Sequence, residues 1–383
     1  MIDTNQTPDD HAIRKGQHRW ALPSLVALFC ASLLAVWLVP GNTAAAQNRA
    51  PLALLMPSPG ALADKATFQA IDAALRDRLG AQAVVSAALA DASVHTLRRS
   101  PTALVVLGSD HQPFYAEDLT LPCNENEESL ANVKTGLIAS QTAMKAAGKY
   151  VLYMVAPNKT SILRAPVEDV NRDLLRCSDF VKSHFEEWEA DGSVPVVTLW
   201  DDVAALDTKE APAYLWNDTH WTTSGSMALS HALMRRLVVD EVVPASILDD
   251  LVNPVFSEPV QWVGDLGRMM GVQDIDLVTT ASFNRPGVVT NAETTMEEAG
   301  LLNRYHFTST SDSQPLVPGK TLLVGDSFML SQMPTQLSNF FEDVTMVHVD
   351  EAVDASEYDQ VIAVRVQRYT GTGWWPSLVP ELQ

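Results

Sequence analysis

Short apolar segments alternate with amphipathic segments of helical spacing along most of this 383-residue chain. Because strands buried on both faces read as continuous apolar runs, the alternation predicts an α/β fold with a doubly wound parallel sheet flanked by helices. The predicted strands are Leu52–Met56, Ala103–Leu107, Tyr150–Val155, Val194–Leu199, Thr321–Val324, Val344–Val347 and Gln360–Val364. The predicted helices are Leu62–Leu79, Leu130–Ala147, Val167–Trp188, Ser224–Leu237 and Phe328–Phe340. The region from Asp240 to Pro318 fits the alternation poorly and is predicted to hold insertions or lid-like loops.

Acidic residues outnumber basic ones by 47 to 26, which gives a formal net charge of −21. A surface of this sign repels phosphate backbones, so nucleic acid is not an expected partner. The hydrophobic fraction of 46% is too high for a disordered polymer and too low for a polytopic membrane protein. The chain is therefore expected to be globular, with a sizeable core.

An apolar run, Ala21–Val39, follows three basic residues, Arg14, Lys15 and Arg19. This charge asymmetry predicts that the following chain is exported and, in a bacterial cell, lies in the periplasm. The run is long enough for a membrane anchor, whereas the alanines at 44–46 resemble a signal-peptide cleavage site, and both interpretations stay open. Residues 1–46 are accordingly predicted to be a cytoplasmic stub with a signal peptide or anchor, and residues 47–383 a single domain.

Only two cysteines, Cys123 and Cys177, lie in the exported part of the chain. In an oxidising compartment they can form one disulfide, and two buried free thiols are the alternative.

A serine follows one of the predicted strands in the segment Gly325-Asp326-Ser327-Phe328. In doubly wound sheets ligands bind at the carboxyl ends of strands, so Ser327 stands where chemistry is expected. The alternative is a helix N-cap serine without a catalytic role.

A second polar segment, Asp218-Thr219-His220-Trp221, precedes the helix predicted from Ser224. An aspartate two residues before a histidine can orient the imidazole and stabilise its protonated form. The flanking Trp216 and Trp221 are expected to exclude water or to stack on a sugar ring. The alternatives are a capping aspartate with a structural histidine, or a pair of metal ligands, although no HxxxH or CxxC spacing accompanies the pair.

Taken together, these two segments resemble the SGNH-hydrolase-like acetyltransferases of the alginate O-acetylation type, the AlgX/AlgJ family. The Asp/His segment precedes the Gly-Asp-Ser segment here, the reverse of ordinary SGNH esterases, as in that circularly permuted family. Four further segments are similar to motifs of the family: Val106–Asp110, Val155–Lys159, Gly264–Gly267 and Val364–Arg368.

The resemblance implies that Ser327 is the nucleophile, His220 the base and Asp218 the residue that orients it. The oxyanion of the acetyl intermediate would be stabilised by the backbone N–H of Ser327, with Phe328 and Gly264 as further candidates. Lys159 and Arg368, with the two tryptophans, are the expected substrate-binding residues. No cofactor or metal is expected.

The implied activity is transfer of an acetyl group onto hydroxyls of an exported polysaccharide. The implied partners are this polysaccharide, a membrane-bound O-acyltransferase that supplies acetyl groups, and a polysaccharide synthesis or secretion complex. Two alternatives stay open. One is an esterase that uses the same motifs to deacetylate an envelope glycan, and the other is a non-catalytic polysaccharide-binding or assembly protein.

Overall fold

A computed structural model of the chain describes residue 52 and residues 65–76, 80–296, 303–351 and 353–371. The predicted apolar segment and the predicted boundary at residue 47 lie outside them, as does the predicted strand Leu52–Met56 apart from its first residue. The chain divides into two compact units, Met1–Pro101 and Thr102–Gln383.

The first unit contains two described helices, α1 (Lys65–Arg76) and α2 (Gly80–Asp91). A π-helical turn, Ala92–Thr96, follows α2 directly. The predicted helix Leu62–Leu79 thus coincides with α1 over the described residues. In the described parts of both units, no helix combines the length and apolar character needed to cross a bilayer.

The second unit begins with β1 (Val105–Leu107) and β2 (Pro113–Tyr115), which form a separate antiparallel pair. The prediction that Ala103–Leu107 belongs to the parallel sheet is therefore wrong, because β1 finds its hydrogen-bonding partner ten residues further along the chain. The other strands are β3 (Tyr150–Ala156), β4 (Val196–Thr198), β5 (Pro254–Phe256), β6 (Val260–Val263), β7 (Ile275–Val278), β8 (Ala281–Phe283), β9 (Val288–Met296), β10 (Asn303–Ser311), β11 (Val317–Gly325), β12 (Phe341–His348) and β13 (Gln360–Val366).

Helices connect and cover these strands. They are α3 (Glu117–Thr120), α4 (Glu127–Ala146), α5 (Lys159–Ile162), α6 (Ala165–Ala190), α7 (Trp200–Leu206), α8 (Thr223–Val239), α9 (Asp265–Met270), α10 (Ser327–Leu330) and α11 (Met333–Leu337). Short 3₁₀ turns lie at Leu121–Asn124, Ala245–Leu251, Ser338–Phe340, Ala355–Glu357 and Gln367–Tyr369.

Seven strands form the central sheet in the order β4-β3-β13-β11-β12-β10-β9. The five strands from β4 to β12 are parallel, as the apolar runs predicted, whereas β10 and β9 continue the sheet antiparallel. The fold is thus the predicted α/β architecture with a mixed rather than a purely parallel sheet. The two antiparallel strands come from the region after Asp240 that did not fit the alternation.

Two hydrophobic cores cover the two faces of the sheet. Alternate residues of β13 face opposite sides: Ile362 and Val364 belong to one core, and Val361 and Ala363 to the other. This period of two is what a strand buried on both faces requires. Helices α8, α10 and α11 pack on the first face, and α4 and α6 pack on the second.

A disulfide joins Cys123, in the turn after α3, to Cys177 in α6. Of the two alternatives for these cysteines, the structure therefore has the bonded one.

The poorly fitting region before β9 contains two small antiparallel pairs, β5 with β8 and β6 with β7. The short helix α9 lies between β6 and β7 in the chain, so this hairpin carries a helix at its turn.

Candidate active site

Ser327 lies at the carboxyl edge of the sheet, two residues after the end of the parallel strand β11. Gly325, the last residue of the strand, lies against β13, and a Cβ atom there would stand 2.8 Å from the carbonyl oxygen of Val364. Asp326 then fixes the turn, because its carboxylate accepts hydrogen bonds from Phe328 N (3.1 Å) and Val366 N (2.8 Å). The N-cap of α10 is thus Asp326 and not Ser327, so the structure does not bear out the N-cap interpretation of the serine.

The serine hydroxyl lies within hydrogen-bonding distance of His220. Ser327 Oγ and His220 Nε2 are 2.7 Å apart, and His220 Nδ1 is 2.6 Å from Asp218 Oδ1. The same carboxylate oxygen accepts the backbone N–H of His220 (2.9 Å). Helix α8, which follows, is capped by Thr222, so Asp218 is not the capping aspartate of the alternative interpretation.

The β6–β7 hairpin supports the far side of the Asp218 carboxylate. Asp218 Oδ2 accepts hydrogen bonds from Trp262 Nε1 (2.8 Å) and from the backbone N–H of Asp265 (3.1 Å). The Asp265 carboxylate in turn accepts hydrogen bonds from the backbone N–H and the hydroxyl of Thr219. Every oxygen of Asp218 therefore has two N–H donors, which fixes the orientation of the carboxylate and with it the imidazole.

These contacts shift the pKa values of the site in opposite directions. Burial alone would raise the pKa of Asp218, but the hydrogen bonds from His220 and Trp262 outweigh it and hold the pKa well below its usual range. Burial also works to lower the pKa of His220, whereas the hydrogen bond and charge of Asp218 and the charge of Asp265 raise it above its ordinary value. An ionised aspartate beside a histidine of raised pKa is the electrostatic arrangement of a general base that becomes positively charged during reaction.

A cleft of about 400 Å³ opens beside Ser327 and His220. The exposed parts of its wall are mainly apolar. Its lining residues are Leu215, Asp218, His220, Trp221, Trp262, Val278, Thr280, Tyr305, Ser327, Leu330, Ser331, Gln332 and His348.

A family model described as the SGNH hydrolase-like domain of the acetyltransferase AlgX matches residues 105–361, about two thirds of the chain. The chain belongs to this family. The predicted family and the predicted SGNH-like fold are thereby confirmed. No curated protein has a sequence that matches this chain significantly.

Solved structures with a similar fold have low sequence identity to this member of the AlgX family. Bacillus cereus PatB1 with a sulfonyl adduct is 10% identical, with a TM-score of 0.52 over 72% of this chain and 98% of PatB1. The O-acetyltransferase domain of Pseudomonas putida AlgJ is 13% identical, with a TM-score of 0.44 over 70% and 92% of the two chains. Pseudomonas aeruginosa AlgX is 12% identical, with a TM-score of 0.44 over 73% and 71%. At these identities the PatB1 similarity is one of fold.

Lys159 does not reach the cleft of this AlgX-family domain, contrary to the expectation that it binds substrate. Its side chain is fully buried, and Nζ donates to the carbonyl oxygens of Pro113 (3.0 Å), Trp216 (2.7 Å) and Asp218 (3.1 Å). Burial lowers its pKa to about 8, against the opposing charges of Asp218 and Asp265. Lys159 therefore binds the loop that carries Asp218, and its buried side chain is not accessible to a substrate.

Arg368 is also buried and lies outside the cleft, so its expected substrate contact is corrected as well. Its Nη1 donates to Asp118 Oδ1 (2.8 Å), and the pair is almost fully enclosed. The guanidinium carbon stands 5.2 Å from the ring centroid of Phe328, directly behind the nucleophile turn. Removing either partner would leave an unpaired charge buried next to the turn that carries Ser327.

The two tryptophans expected to meet a sugar differ in position. Trp221 is 1% exposed and packs edge-on against Phe328, so it forms part of the cleft wall and offers little ring face for stacking. Trp216 is half exposed but is not among the lining residues, and its contact with a substrate stays a prediction.

The three expected oxyanion donors differ in whether their N–H group is available at the cleft. The Phe328 N–H is already bonded to Asp326, so it is not available for an oxyanion. Gly264 packs against the Asn217 backbone, where a Cβ would stand 2.0 Å from the Asn217 carbonyl oxygen, and it does not line the cleft. Within the described residues the Ser327 N–H donates no hydrogen bond, and it stays the predicted donor.

Asp218, His220 and Asp265 have possible metal-ligating atoms within 4.8 Å of one another. Both Asp218 oxygens, however, accept two N–H bonds each, and Nδ1 of His220 is bonded to Asp218. The atoms that would bind a metal ion are therefore already hydrogen-bonded to one another or to neighbouring N–H groups. This arrangement does not fit the interpretation of Asp218 and His220 as a pair of metal ligands.

Three residues at this site were not predicted from the sequence: Trp262, Asp265 and Gln332. Asp265 stood in the Gly-Asp-Leu segment that the family resemblance singled out, which was a usable signal. Trp262, two residues before Gly264, carried no signal of its own.

Proposed function

We propose that this domain transfers an acetyl group through Ser327 to a hydroxyl of an exported polysaccharide. The observation that carries the proposal is the unbroken hydrogen-bond chain from Ser327 Oγ through His220 to the ionised Asp218, open to a cleft in a domain of an acetyltransferase family.

In the first half-reaction Ser327 Oγ attacks the acetyl carbonyl carbon while its proton passes to His220 Nε2. The tetrahedral oxyanion accepts the backbone N–H of Ser327, and collapse expels the donor's oxygen, which takes the proton from His220. Asp218 stabilises the transient imidazolium through Nδ1.

In the second half-reaction a sugar hydroxyl attacks the acetyl-serine carbonyl and gives its proton to Nε2 of His220. Collapse then breaks the bond to Ser327 Oγ, which recovers the proton. Water in place of the sugar would release acetate, so the acceptor that reaches the cleft separates a transferase from an esterase.

We further propose that the domain acts in the periplasm, as the predicted apolar segment Ala21–Val39 implies. The disulfide of Cys123 and Cys177 supports this location, because disulfides persist in oxidising compartments. A membrane-bound O-acyltransferase as the acetyl source and a polysaccharide synthesis or secretion complex as the setting belong to the same proposal. A reporter enzyme fused after Gln383 should be active only in the periplasm, and cytoplasmic activity would contradict the location.

The direct test compares Ser327→Ala with the wild-type full chain. On 4-nitrophenyl acetate the variant should lose turnover to the background rate, since a serine protease without its nucleophile loses on the order of 10⁶ in rate. Ser183→Ala, which removes an exposed serine on α6, is the matched control and should keep wild-type turnover.

The product is then examined with glycan present. Mass spectrometry should find acetyl groups on the polysaccharide and an acetyl adduct on the Ser327 peptide. Acetate release without glycan acetylation would select the esterase, and wild-type turnover by a folded Ser327→Ala protein would refute the mechanism.

A further inference from the structure

The cleft beside Ser327 contains no lysine or arginine among its described lining residues, and its histidines are His220 and His348. Its only fixed charge is the carboxylate of Asp218, whose oxygens are occupied by N–H donors. The whole chain carries a formal charge of −21, so the surrounding field does not attract anions. A uronate or phosphorylated sugar would enter this cleft without a counter-charge.

Arginines of the neighbouring elements are engaged elsewhere. Arg268 of α9 stacks on Trp262, with the guanidinium carbon 5.0 Å from the ring centroid, and does not line the cleft. Arg368 is buried with Asp118. Binding a row of carboxylates requires paired cations, usually arginine, at the surface that the ligand touches.

The groups that do line the cleft suit an uncharged sugar. Trp262, 43% exposed, and Tyr305 offer aromatic surface, and Leu330 and Val278 offer aliphatic surface, against which the C–H faces of a pyranose can pack. His348 is held through Nδ1 by the backbone N–H of Asp350 (3.3 Å).

Gln332 provides an independent indication of a hydroxyl ligand. It is 5% exposed, and its Nε2 faces the Thr279 carbonyl oxygen at 3.5 Å. Its Oε1 is buried and has no hydrogen-bond partner among the described residues. A buried amide oxygen without a donor is costly, and a sugar hydroxyl in the cleft would supply that donor.

We infer that the acetyl acceptor is a neutral glycan, bound with its apolar face on the Trp262 side of the cleft and a hydroxyl on Gln332. The role of the glycan as acetyl acceptor rests on the proposed function, but the binding preference itself does not depend on turnover.

The test measures binding to the full-chain Ser327→Ala protein by calorimetry at 20 and 150 mM NaCl. The ligands are hexasaccharides of neutral sugars, namely cello-, manno- and galacto-oligomers, and a hexamer of mannuronate. At least one neutral hexamer should bind ten times more tightly than the uronate at both salt concentrations. A uronate that binds as tightly as every neutral hexamer, or the absence of neutral binding at millimolar concentration, would overturn the inference.

A positive charge introduced into the cleft tests whether saccharides bind there. Thr280 lines the cleft and its backbone, not its side chain, makes the bonds to Ser257. Thr280→Lys should increase uronate affinity at least fivefold at 20 mM NaCl and lose the gain at 150 mM, whereas the matched Thr280→Gln should not. A lysine without effect would place saccharide binding outside the cleft and refute the proposal.

The outcomes separate the two proposals. Neutral binding by Ser327→Ala together with an inert wild-type protein on 4-nitrophenyl acetate would retain the ligand class and reject acetyl transfer. Active wild-type enzyme with a uronate preference would do the reverse.

Discussion

Replacing Asp218 with asparagine tests the hydrogen-bond chain most directly, because the two oxygens of the carboxylate have different neighbours. Oδ1 faces two donors of His220, and Oδ2 faces the donors of Trp262 and Asp265. An amide group can satisfy only one of these sides with its oxygen. The other side must then face an NH₂ group.

If the amide oxygen faces His220, its NH₂ group meets two N–H donors from the hairpin, and neither can turn into an acceptor. If the oxygen faces the hairpin, the NH₂ group meets Nδ1 of His220, which can accept once its proton moves to Nε2. The second orientation therefore keeps more hydrogen bonds. It also leaves Nε2 protonated, so His220 can no longer accept the proton of Ser327.

Asp218→Asn should accordingly lower kcat/KM on 4-nitrophenyl acetate by about 10⁴, the loss that the same tautomer change causes in a serine protease. That factor corresponds to about 5 kcal/mol of transition-state stabilisation. The ¹⁵N spectrum of the imidazole should show the proton on Nδ1 in the wild type and on Nε2 in the variant. A folded variant that retains a tenth of wild-type kcat/KM, with its proton still on Nδ1, would refute the reasoning.

Four further predictions concern the site and the stability of the fold. Activity should rise as pH passes the pKa of His220, which burial lowers but neighbouring carboxylates raise above its usual value of about 6.5, because only the neutral ring accepts a proton. Asp265→Asn removes a negative charge 3.7 Å from Nδ1 and should shift the midpoint of the pH–rate profile downward; an upward shift would show that another group titrates. Replacing Cys123 and Cys177 by alanine opens a loop with a sequence separation of 54 and should lower the unfolding free energy in urea by about 4 kcal/mol, and a loss below about 1 kcal/mol would contradict this expectation. Lys159→Met leaves three carbonyl groups without a donor and should cost about 3 kcal/mol of unfolding free energy; a stable variant with only a raised KM for glycan would restore the substrate-binding role.

The sequence was sufficient for features that depend on local pattern. The apolar runs predicted the buried strands because a strand covered on both faces is almost wholly apolar, as in Tyr150–Val155 of β3 and Val361–Val364 of β13. The triad segments were recognisable because each combines a reactive residue with a turn at a strand end or helix start. Both kinds of signal are contained in short stretches of neighbouring residues.

Features that depend on distant neighbours were not predictable in this way. Lys159 points inward toward three carbonyl groups rather than outward to solvent. Strands β9 and β10 contain many polar residues and pair antiparallel, so they lack the continuous apolar runs of the buried parallel strands. The carbonyl groups that bind Lys159 lie 46, 57 and 59 residues away in the chain.

The position of β13 has a consequence for the timing of activity. This strand is the last in the described sequence, yet it lies at the middle of the sheet between β3 and β11, and its Val366 N–H bonds the aspartate that shapes the serine turn. In the export proposed above, with the N-terminus crossing the membrane first, the serine, histidine and aspartate would all emerge before the strand that aligns them. The nascent protein would therefore be inert until almost its whole length had crossed the membrane, and a frameshift or truncation shortly before residue 360 would abolish the site while leaving all three triad residues in the chain.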